Sequence, residues 1–322
     1  IPYDLSHTVF IATANDLSTV PAPLLDRMEV IEIPSYTREE KLNIAKYHLV
    51  RKQEQRHGLN GRTFKITDGA IYSLIDFYTR EAGVRRLERT IAALCRKSAK
   101  LIAEGSEKRV TVNAETVEKM LGHKRYKPEQ ILSRDEVGII NDLAWTSVGG
   151  EIMQLEVAVM EGTGRIELTG SLGDVMKESA MAAVSYVRSN AERFNIDTEF
   201  YKKLDIHIHA TEAAVPKDGP SAGVAITTGP VSALTGRAVK RDVAMTGEVT
   251  IRGRVLPIGG LREKSMAAYT GGVKTGFIPA DNVADLEDVD DIVKQNVSFI
   301  PVSFVDEIIE KSLEAKKENA DL

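Results

Sequence analysis

Cysteine is nearly absent. The 322 residues contain one, Cys95, which excludes an intrachain disulfide framework and points to a reducing compartment. Long apolar runs are missing too: none approaches the length of a membrane-crossing helix, and no signal-peptide pattern opens the chain. A cytoplasmic protein without membrane contact is the expectation. Charge of one sign is weak, and a net charge of −5 exerts no overall pull toward nucleic acid or an anionic membrane. No Gly-Lys dipeptide occurs, so there is no P-loop. Internal repeats and low-complexity segments are also missing. What is present is 43% hydrophobic and 28% charged residues, enough for real cores in two domains, or three if one is small. The chain begins Ile1-Pro2-Tyr3 and soon enters an apolar run, so it is read as part of a longer polypeptide.

Thr8 to Ala14 is short, apolar and rich in β-branched residues, and Glu29 to Ile33 is similar; both predict strands. Between them lies Pro23-Leu24-Leu25-Asp26-Arg27-Met28. Thr37 opens a helix to about His57, with Glu40 three residues on to complete a capping box and Gly58 to end it. Thr67 or Asp68 caps a second helix to about Thr79. Glu81-Ala82-Gly83-Val84-Arg85-Arg86 turns into a third, which ends near Gly105. Arg109 to Val112 predicts a short strand, and Asn113 caps a helix to Leu121. Gly122 to Glu136 has charge, Pro128 and little apolar period, which marks a domain boundary.

Beyond it the pattern is β-rich. Strands are expected at Ile139–Ser147, Glu151–Met160 and Arg165–Thr169, with turns at Gly149-Gly150 and Gly162-Thr163-Gly164. A long amphipathic helix follows over Gly173–Phe194. Leu204 to His209 predicts a strand and Val224 to Leu234 a helix, which Gly229-Pro230 should kink. Asp242–Met245 predicts a strand, Thr250–Ile258 a hairpin turning at Arg252-Gly253, and Leu261–Tyr269 a helix closed by Gly271-Gly272. Thr275–Pro279 and Val297–Val302 read as strands, Val283–Lys294 and Phe304–Lys316 mostly as helix.

Chemistry concentrates where the Leu204–His209 strand leads, through His209-Ala210-Thr211-Glu212-Ala213-Ala214-Val215-Pro216-Lys217-Asp218, into Gly219-Pro220-Ser221. Gly219 supplies backbone freedom, Pro220 sets φ ahead of a helix, and Ser221 lands at the helix start, where unpaired N–H groups and the helix dipole favour an oxyanion. The same placement also suits an ordinary N-cap. Lys264, 43 residues after Ser221, offers a base if burial lowers its pKa from about 10.4; spacing alone equally fits a solvated helix lysine. His207 and His209 share a strand face with Asp205, have no third metal ligand in convincing spacing, and are read as structural. Gly162-x-Gly164 and Gly259-Gly260 read as turns. Arg85, Arg86, Arg89, Arg96, Lys97 and Lys100, with Glu81 and Glu88 interleaved, read as a solvated face, and Arg85 stands apart because it begins its helix.

Two stretches carry a family resemblance. Pro216-Lys217-Asp218-Gly219-Pro220-Ser221-Ala222-Gly223 resembles the nucleophile motif of the Lon family of ATP-dependent serine proteases. The run from Met245-Thr246-Gly247-Glu248 to Gly259-Gly260-Leu261-Arg262-Glu263-Lys264 is similar to that family's lysine segment. The resemblance extends across essentially the whole chain and is nearest to the bacterial A type. It implies Ser221 as nucleophile and Lys264 as general base of a Ser-Lys dyad, with Thr246 orienting the lysine amine. Backbone N–H groups of the corner after Asp218, at Gly219-Pro220-Ser221, would form the oxyanion hole. Thr211 and Ala213 stand where the family usually carries Pro and Gly, and Arg165 where lysine is usual; none of these belongs to the dyad.

The fold class so implied is α/β and α+β. Residues 1–35 would end the large α/β subdomain of an AAA+ module and 36–122 form its helical small subdomain. Residues 123–136 would be a linker, and 137–322 a protease domain of the ribosomal S5 domain 2-like fold. Asn15 would be sensor 1, Arg27 an arginine finger and Arg85 sensor 2, all serving ATP. The family's phosphate loop, magnesium-binding acids and pore loops would lie upstream of Ile1, so Mg-ATP belongs to the full-length protein and this chain alone should not hydrolyse it. No cofactor or metal is expected in the protease site. The implied function is ATP-dependent degradation of misfolded and short-lived regulatory proteins inside a homo-hexamer, with unfolded polypeptides as partners and DNA an additional option for the full-length protein. The alternatives are a non-proteolytic Lon-like scaffold in a DNA-repair or assembly ATPase, and a nucleotide-sensing lid with an appended binding domain.

Overall fold

The structure is a computed structural model that describes residues 4–14, 17, 20–31, 33, 35–126, 130–146, 149–211 and 217–315. The chain splits into two compact units, Ile1–Pro34 and Ser35–Leu322. In the first, the described residues hold one short helix, Ala22–Leu25. The described residues of Thr8–Ala14 and Glu29–Ile33, where strands are expected, form none, and Val9, Phe10, Ile11 and Ile31 face solvent. An apolar run becomes a buried strand only when neighbouring strands take up its N–H and C=O groups and a further layer covers its side chains. The described residues of this unit supply neither.

The second unit opens with the helical region. Thr37 Oγ1 accepts the Glu40 N–H at 3.2 Å while the Glu40 carboxylate accepts the Thr37 N–H at 2.7 Å, completing the expected capping box. Helix Arg38–Ile44 continues through a π-helical turn, Ala45–Leu49, into Val50–Arg56. Thr67 caps helix Asp68–Tyr78, and Asn113 caps helix Ala114–Leu121. Helix Arg85–Ala103 lies between them in sequence. Strands β1 (Phe64–Ile66) and β2 (Val110–Val112) pair in parallel; β1 escapes sequence reading because three residues carry little periodicity. Phe64, Leu74, Leu87, Ile91 and Val117 share one core. The six basic residues on Arg85–Ala103 are exposed, the solvated face expected of them.

The remaining strands are β3 (Ile139–Thr146), β4 (Gly149–Glu161), β5 (Ile166–Thr169), β6 (Leu204–Ala210), β7 (Val243–Met245), β8 (Glu248–Val249), β9 (Val255–Leu256), β10 (Thr275–Pro279) and β11 (Ser298–Val302). Seven of them make one mixed sheet in the order β11-β10-β7-β3-β4-β6-β5, while β8 and β9 form a separate hairpin. Strand β4 is antiparallel to both neighbours, β3 and β6; the other pairings are parallel. Met153, Leu155 and Val157 turn to one face with helices Asp174–Ser189, Gly223–Thr235 and Val305–Ser312. Ile152 and Leu143 turn to the other, against Ala267 and Ala268 of helix Leu261–Gly271. The sheet is therefore covered on both sides.

Helix Gly223–Thr235 runs through Gly229-Pro230, covering the helix expected from Val224 to Leu234. Every residue from Gly223 to Ser232 is buried, and this packing keeps the segment helical although Pro230 donates no hydrogen bond. The helix expected over Val283–Lys294 resolves into a 3-10 turn, Ala284–Asp288, and the short helix Asp291–Asn296.

Candidate active site

Ser221 occupies a 3-10 turn, Pro220–Ala222, that runs directly into helix Gly223–Thr235. Gly219, just before the turn, has φ +135° with nothing within 4 Å of the place a Cβ would take. The need for glycine there is conformational, not spatial. The Asp218 carboxylate accepts N–H groups from Met176 at 3.1 Å and from Gly219 at 3.0 Å. Met176 lies in the first turn of helix Asp174–Ser189, whose N-cap Gly173 has no side chain to offer; Asp218 supplies the missing cap from a distant loop. Gly173 N–H to Lys217 O at 2.6 Å and Lys217 N–H to Ser171 O at 3.0 Å fasten the same loop. Of the three residues expected to line an oxyanion site, Pro220 has no N–H and that of Gly219 is engaged by Asp218. Ser221's own amide is the donor left. Glu212 to Pro216, with Ala213, lie outside the described residues.

Thr246 joins the serine corner to the lysine. The Ser221 carbonyl accepts the Gly247 N–H at 2.7 Å and the Thr246 hydroxyl at 3.4 Å, and Val224 N–H returns a bond to Gly247 O at 3.0 Å. Lys264 Nζ donates to Thr246 Oγ1 at 3.0 Å. Thr246 is fully buried and Lys264 is only 2% exposed, so this lysine is not a solvated helix residue. Its helix, Leu261–Gly271, rests on β4 at Gly150. A Cβ on Gly150 would lie 2.0 Å from Glu263 O and 2.9 Å from Lys264 N. Backbone-to-backbone contact of this kind requires glycine.

Sequence reasoning missed Asp142. It lies in β3 opposite Met245, the residue before Thr246, and is 1% exposed. Burial pushes its carboxyl up to about 7, opposed by the charge of Lys264 and by the Leu143 N–H. Burial in turn lowers Lys264, which Asp142 partly offsets. The available signal was a carboxylate in the middle of an otherwise apolar strand, Ile139-Ile140-Asn141-Asp142-Leu143-Ala144.

The other candidates stand apart from this cluster. Thr169 Oγ1 bonds His207 Nε2 at 2.8 Å and His209 Nδ1 at 2.7 Å, which gives both rings the structural role expected of them. Among the described residues no group of three or more His, Cys, Asp and Glu could hold a metal, and no helix is long and apolar enough to cross a membrane. Arg85 is exposed at the start of helix Arg85–Ala103, and Arg27 is exposed just after helix Ala22–Leu25. Asn15 lies outside the described residues.

With a serine corner, a buried lysine and a bridging threonine in view, comparison with known proteins decides the family. Residues 111–315 match the Lon protease (S16) C-terminal proteolytic domain. The chain belongs to the Lon protease family. Residues 55–110 match the Lon protease AAA+ ATPase lid domain. Similar relatives include the Lon protease of Brevibacillus choshinensis, 52% identical over 97% of this chain and 40% of its own length. Lon protease 1 of Bacillus subtilis is 51% identical over 98% of this chain and 41% of its own. The Lon protease of Vibrio parahaemolyticus is 50% identical over 98% and 40%. This chain thus spans about two-fifths of the length of these Lon relatives. Asp142, Ser221, Thr246 and Lys264 all fall in the proteolytic match and Arg85 in the lid match, whereas Asn15 and Arg27 precede both.

Proposed function

We propose that this chain carries the peptide-cleaving site of an ATP-dependent serine endopeptidase, with Ser221 as nucleophile and Lys264 as general base. The observation that supports it most is the hydrogen-bonded path from Lys264 Nζ through the Thr246 hydroxyl to the Ser221 carbonyl, made by a lysine withdrawn from water. Burial lowers the lysine pKa, which is what an amine needs to act as a base. In the proposed reaction, Ser221 Oγ attacks the scissile carbonyl carbon while Lys264 takes its proton. The tetrahedral oxyanion faces the Ser221 amide and the positive end of helix Gly223–Thr235. The C–N bond then breaks, Lys264 returns the proton to the leaving amine, and water hydrolyses the acyl-enzyme with Lys264 again as base. A cavity of about 210 Å³ lined by Ile152, Met153, Gln154, Thr211 and Lys217 suits a substrate side chain beside the corner.

The proposed domain division follows the cores: Val117 packs in the helical core and Ile140 in the sheet core, which supports a helical subdomain at 36–122, a linker at 123–136 and a protease domain at 137–322, of the ribosomal S5 domain 2-like fold. ATP is proposed for the whole protein. Arg27 and Arg85 are exposed and make no ion pair among the described residues, which suits contact with phosphate, as does a polar Asn15; the phosphate loop itself has no counterpart in this sequence. The whole protein is proposed to be a cytoplasmic homo-hexamer that degrades misfolded and short-lived regulatory polypeptides, with DNA as an additional partner. A non-proteolytic scaffold has no use for a buried lysine beside a serine corner.

A fluorophosphonate serine probe with a fluorogenic peptide assay tests the reading. Ser221 should be labelled, and Lys264→Ala should abolish both labelling and turnover in a folded protein. Turnover retained in Lys264→Ala, or labelling elsewhere than Ser221, overturns the assignment.

A further inference from the structure

Between the helical region and the lysine helix lies a cavity of about 470 Å³ that the serine–lysine chemistry does not use. Its volume is that of a small-ligand site. Part of its wall is apolar, with Ile75 and Ala267 buried and Met266 and Tyr269 half-buried. Arg38, Lys41, Asp76, Arg262 and Glu263 supply its charge, three cations against two carboxylates.

The cations are less fully engaged than the carboxylates. Asp76 is gripped through both oxygens by Arg38, at 2.8 and 2.7 Å. Lys41 has no carboxylate partner among the described residues. Its ammonium donates to the Glu81 carbonyl, which leaves two N–H groups over. The Glu81 carboxylate is turned instead to the Arg86 and Leu87 N–H groups, at 2.8 Å each. Arg262 reaches Glu40 at 3.2 Å and Asp290 at 3.9 Å through Nη2, while its Nε is buried with no partner among the described residues. A buried N–H left unpaired is costly and uncommon. The lining thus has donors in surplus and one positive charge that its own carboxylates do not cancel. Burial lowers the Lys41 pKa and the Glu81 charge opposes this only in part, as expected of an ammonium short of a counter-ion.

One uncancelled charge beside an apolar wall suits a carboxylate on an apolar body better than a phosphate dianion. Glu263, which accepts from Ser35 at 3.3 Å, has further lone pairs for an N–H on the same ligand. A carboxylate, a neighbouring amide N–H and an apolar side chain together make the last residue of a peptide.

We infer that this cavity binds the free C-terminal end of a peptide with an apolar last residue, its carboxylate held by Lys41 and the Arg262 Nε–H and its amide N–H by Glu263. The side chain packs on Met266 and Tyr269. Arg262 and Glu263 are the two residues before Lys264, so an occupied cavity stiffens the turn that presents the lysine. Each cut at the Ser221 site releases a new carboxyl end, and any effect of the cavity on turnover rests on Lys264 being the base of that site.

The test is calorimetric titration of the Ser221→Ala chain at neutral pH with N-acetyl-Leu-Phe and with its C-terminal amide. The acid should bind about tenfold more tightly than the amide, the scale of one charge-assisted hydrogen bond. Lys41→Gln should abolish that preference and Lys41→Arg restore it. Met266→Trp, which fills the cavity, should abolish binding of both probes and decides the matter should Lys41→Gln not fold. The acid should also slow amide hydrogen exchange in residues 261–266. Equal binding of acid and amide, or no binding, overturns the inference. So does binding that survives both Lys41→Gln and Met266→Trp, because the peptide then sits elsewhere, the serine corner included. Failure of these titrations while the wild type cleaves peptide through Ser221 spares the dyad. Lys41-dependent acid binding in a chain whose cleavage does not need Ser221 supports the cavity and removes the dyad.

Discussion

Thr246 shows how one hydroxyl serves two masters. It receives the Lys264 ammonium or amine at 3.0 Å and gives its own proton to the Ser221 carbonyl at 3.4 Å. A threonine can do both because a hydroxyl is donor and acceptor at once. Thr246→Val keeps the shape and removes both bonds. The expected outcome is a 10- to 100-fold fall in kcat, on the scale of a lost orienting interaction in acid–base catalysis, with KM unchanged and Thr246→Ser restoring most of the loss. Steady-state kinetics on a fluorogenic peptide check this; a fall confined to KM would assign Thr246 to substrate binding instead.

At the scale of the element, the site depends on how closely helix Leu261–Gly271 approaches β4. Gly150 makes that approach, with Glu263 O and Lys264 N in the space a side chain would need. In Gly150→Ala one backbone must move, and because the neighbours are backbone atoms no rotamer change relieves the clash. Overpacking of this kind costs about 1–3 kcal/mol, and the displaced helix carries Lys264 away from Thr246. Calorimetry and peptide turnover should both fall in Gly150→Ala; wild-type turnover would show that the helix start tolerates displacement. The serine corner follows a different logic. Its turn is held by Asp218 acting as cap to a helix 42 residues earlier at Met176, so the corner and helix Asp174–Ser189 are braced together.

At the scale of the whole second unit, the helical region touches the sheet region beside the lysine. Arg80 pairs with Glu151, next to Gly150; Glu40 accepts from Arg262 at 3.2 Å, and Glu263 from Ser35 at 3.3 Å. Arg262 and Glu263 are the two residues before Lys264. A cavity of about 470 Å³, lined in part by Arg38, Lys41, Asp76, Arg262 and Tyr269, lies along the same seam. Exposed ion pairs contribute little singly, about 0–1 kcal/mol, yet here they converge on one turn. Combining Arg80→Ala with Glu40→Ala should speed amide hydrogen exchange in residues 261–266 and leave β10 and β11 unchanged. Equal exchange in the variant and the wild type would mean that the seam does not brace the lysine turn.

Much of this molecule was legible locally. Thr37 with Glu40, Thr67 and Asn113 announced helix starts because caps act over three residues, and the alternating strands around Ser221 declared themselves by period. The Gly219-Pro220-Ser221 corner and the lysine segment pointed to the family that the matches then established. Two things were not legible. The apolar runs at Thr8–Ala14 and Glu29–Ile33 have strand patterns but no partner strands among the described residues of their unit. Asp142 is buried because β3 lies inside the sheet, between β7 and β4. By itself the sequence determined where elements begin, which residue types offer chemistry and to which family they belong, since these depend on neighbours a few residues apart. Only the tertiary structure decided that Lys264 is buried and that Thr246 links it to Ser221, because burial and hydrogen-bond contact depend on which segments the fold brings together.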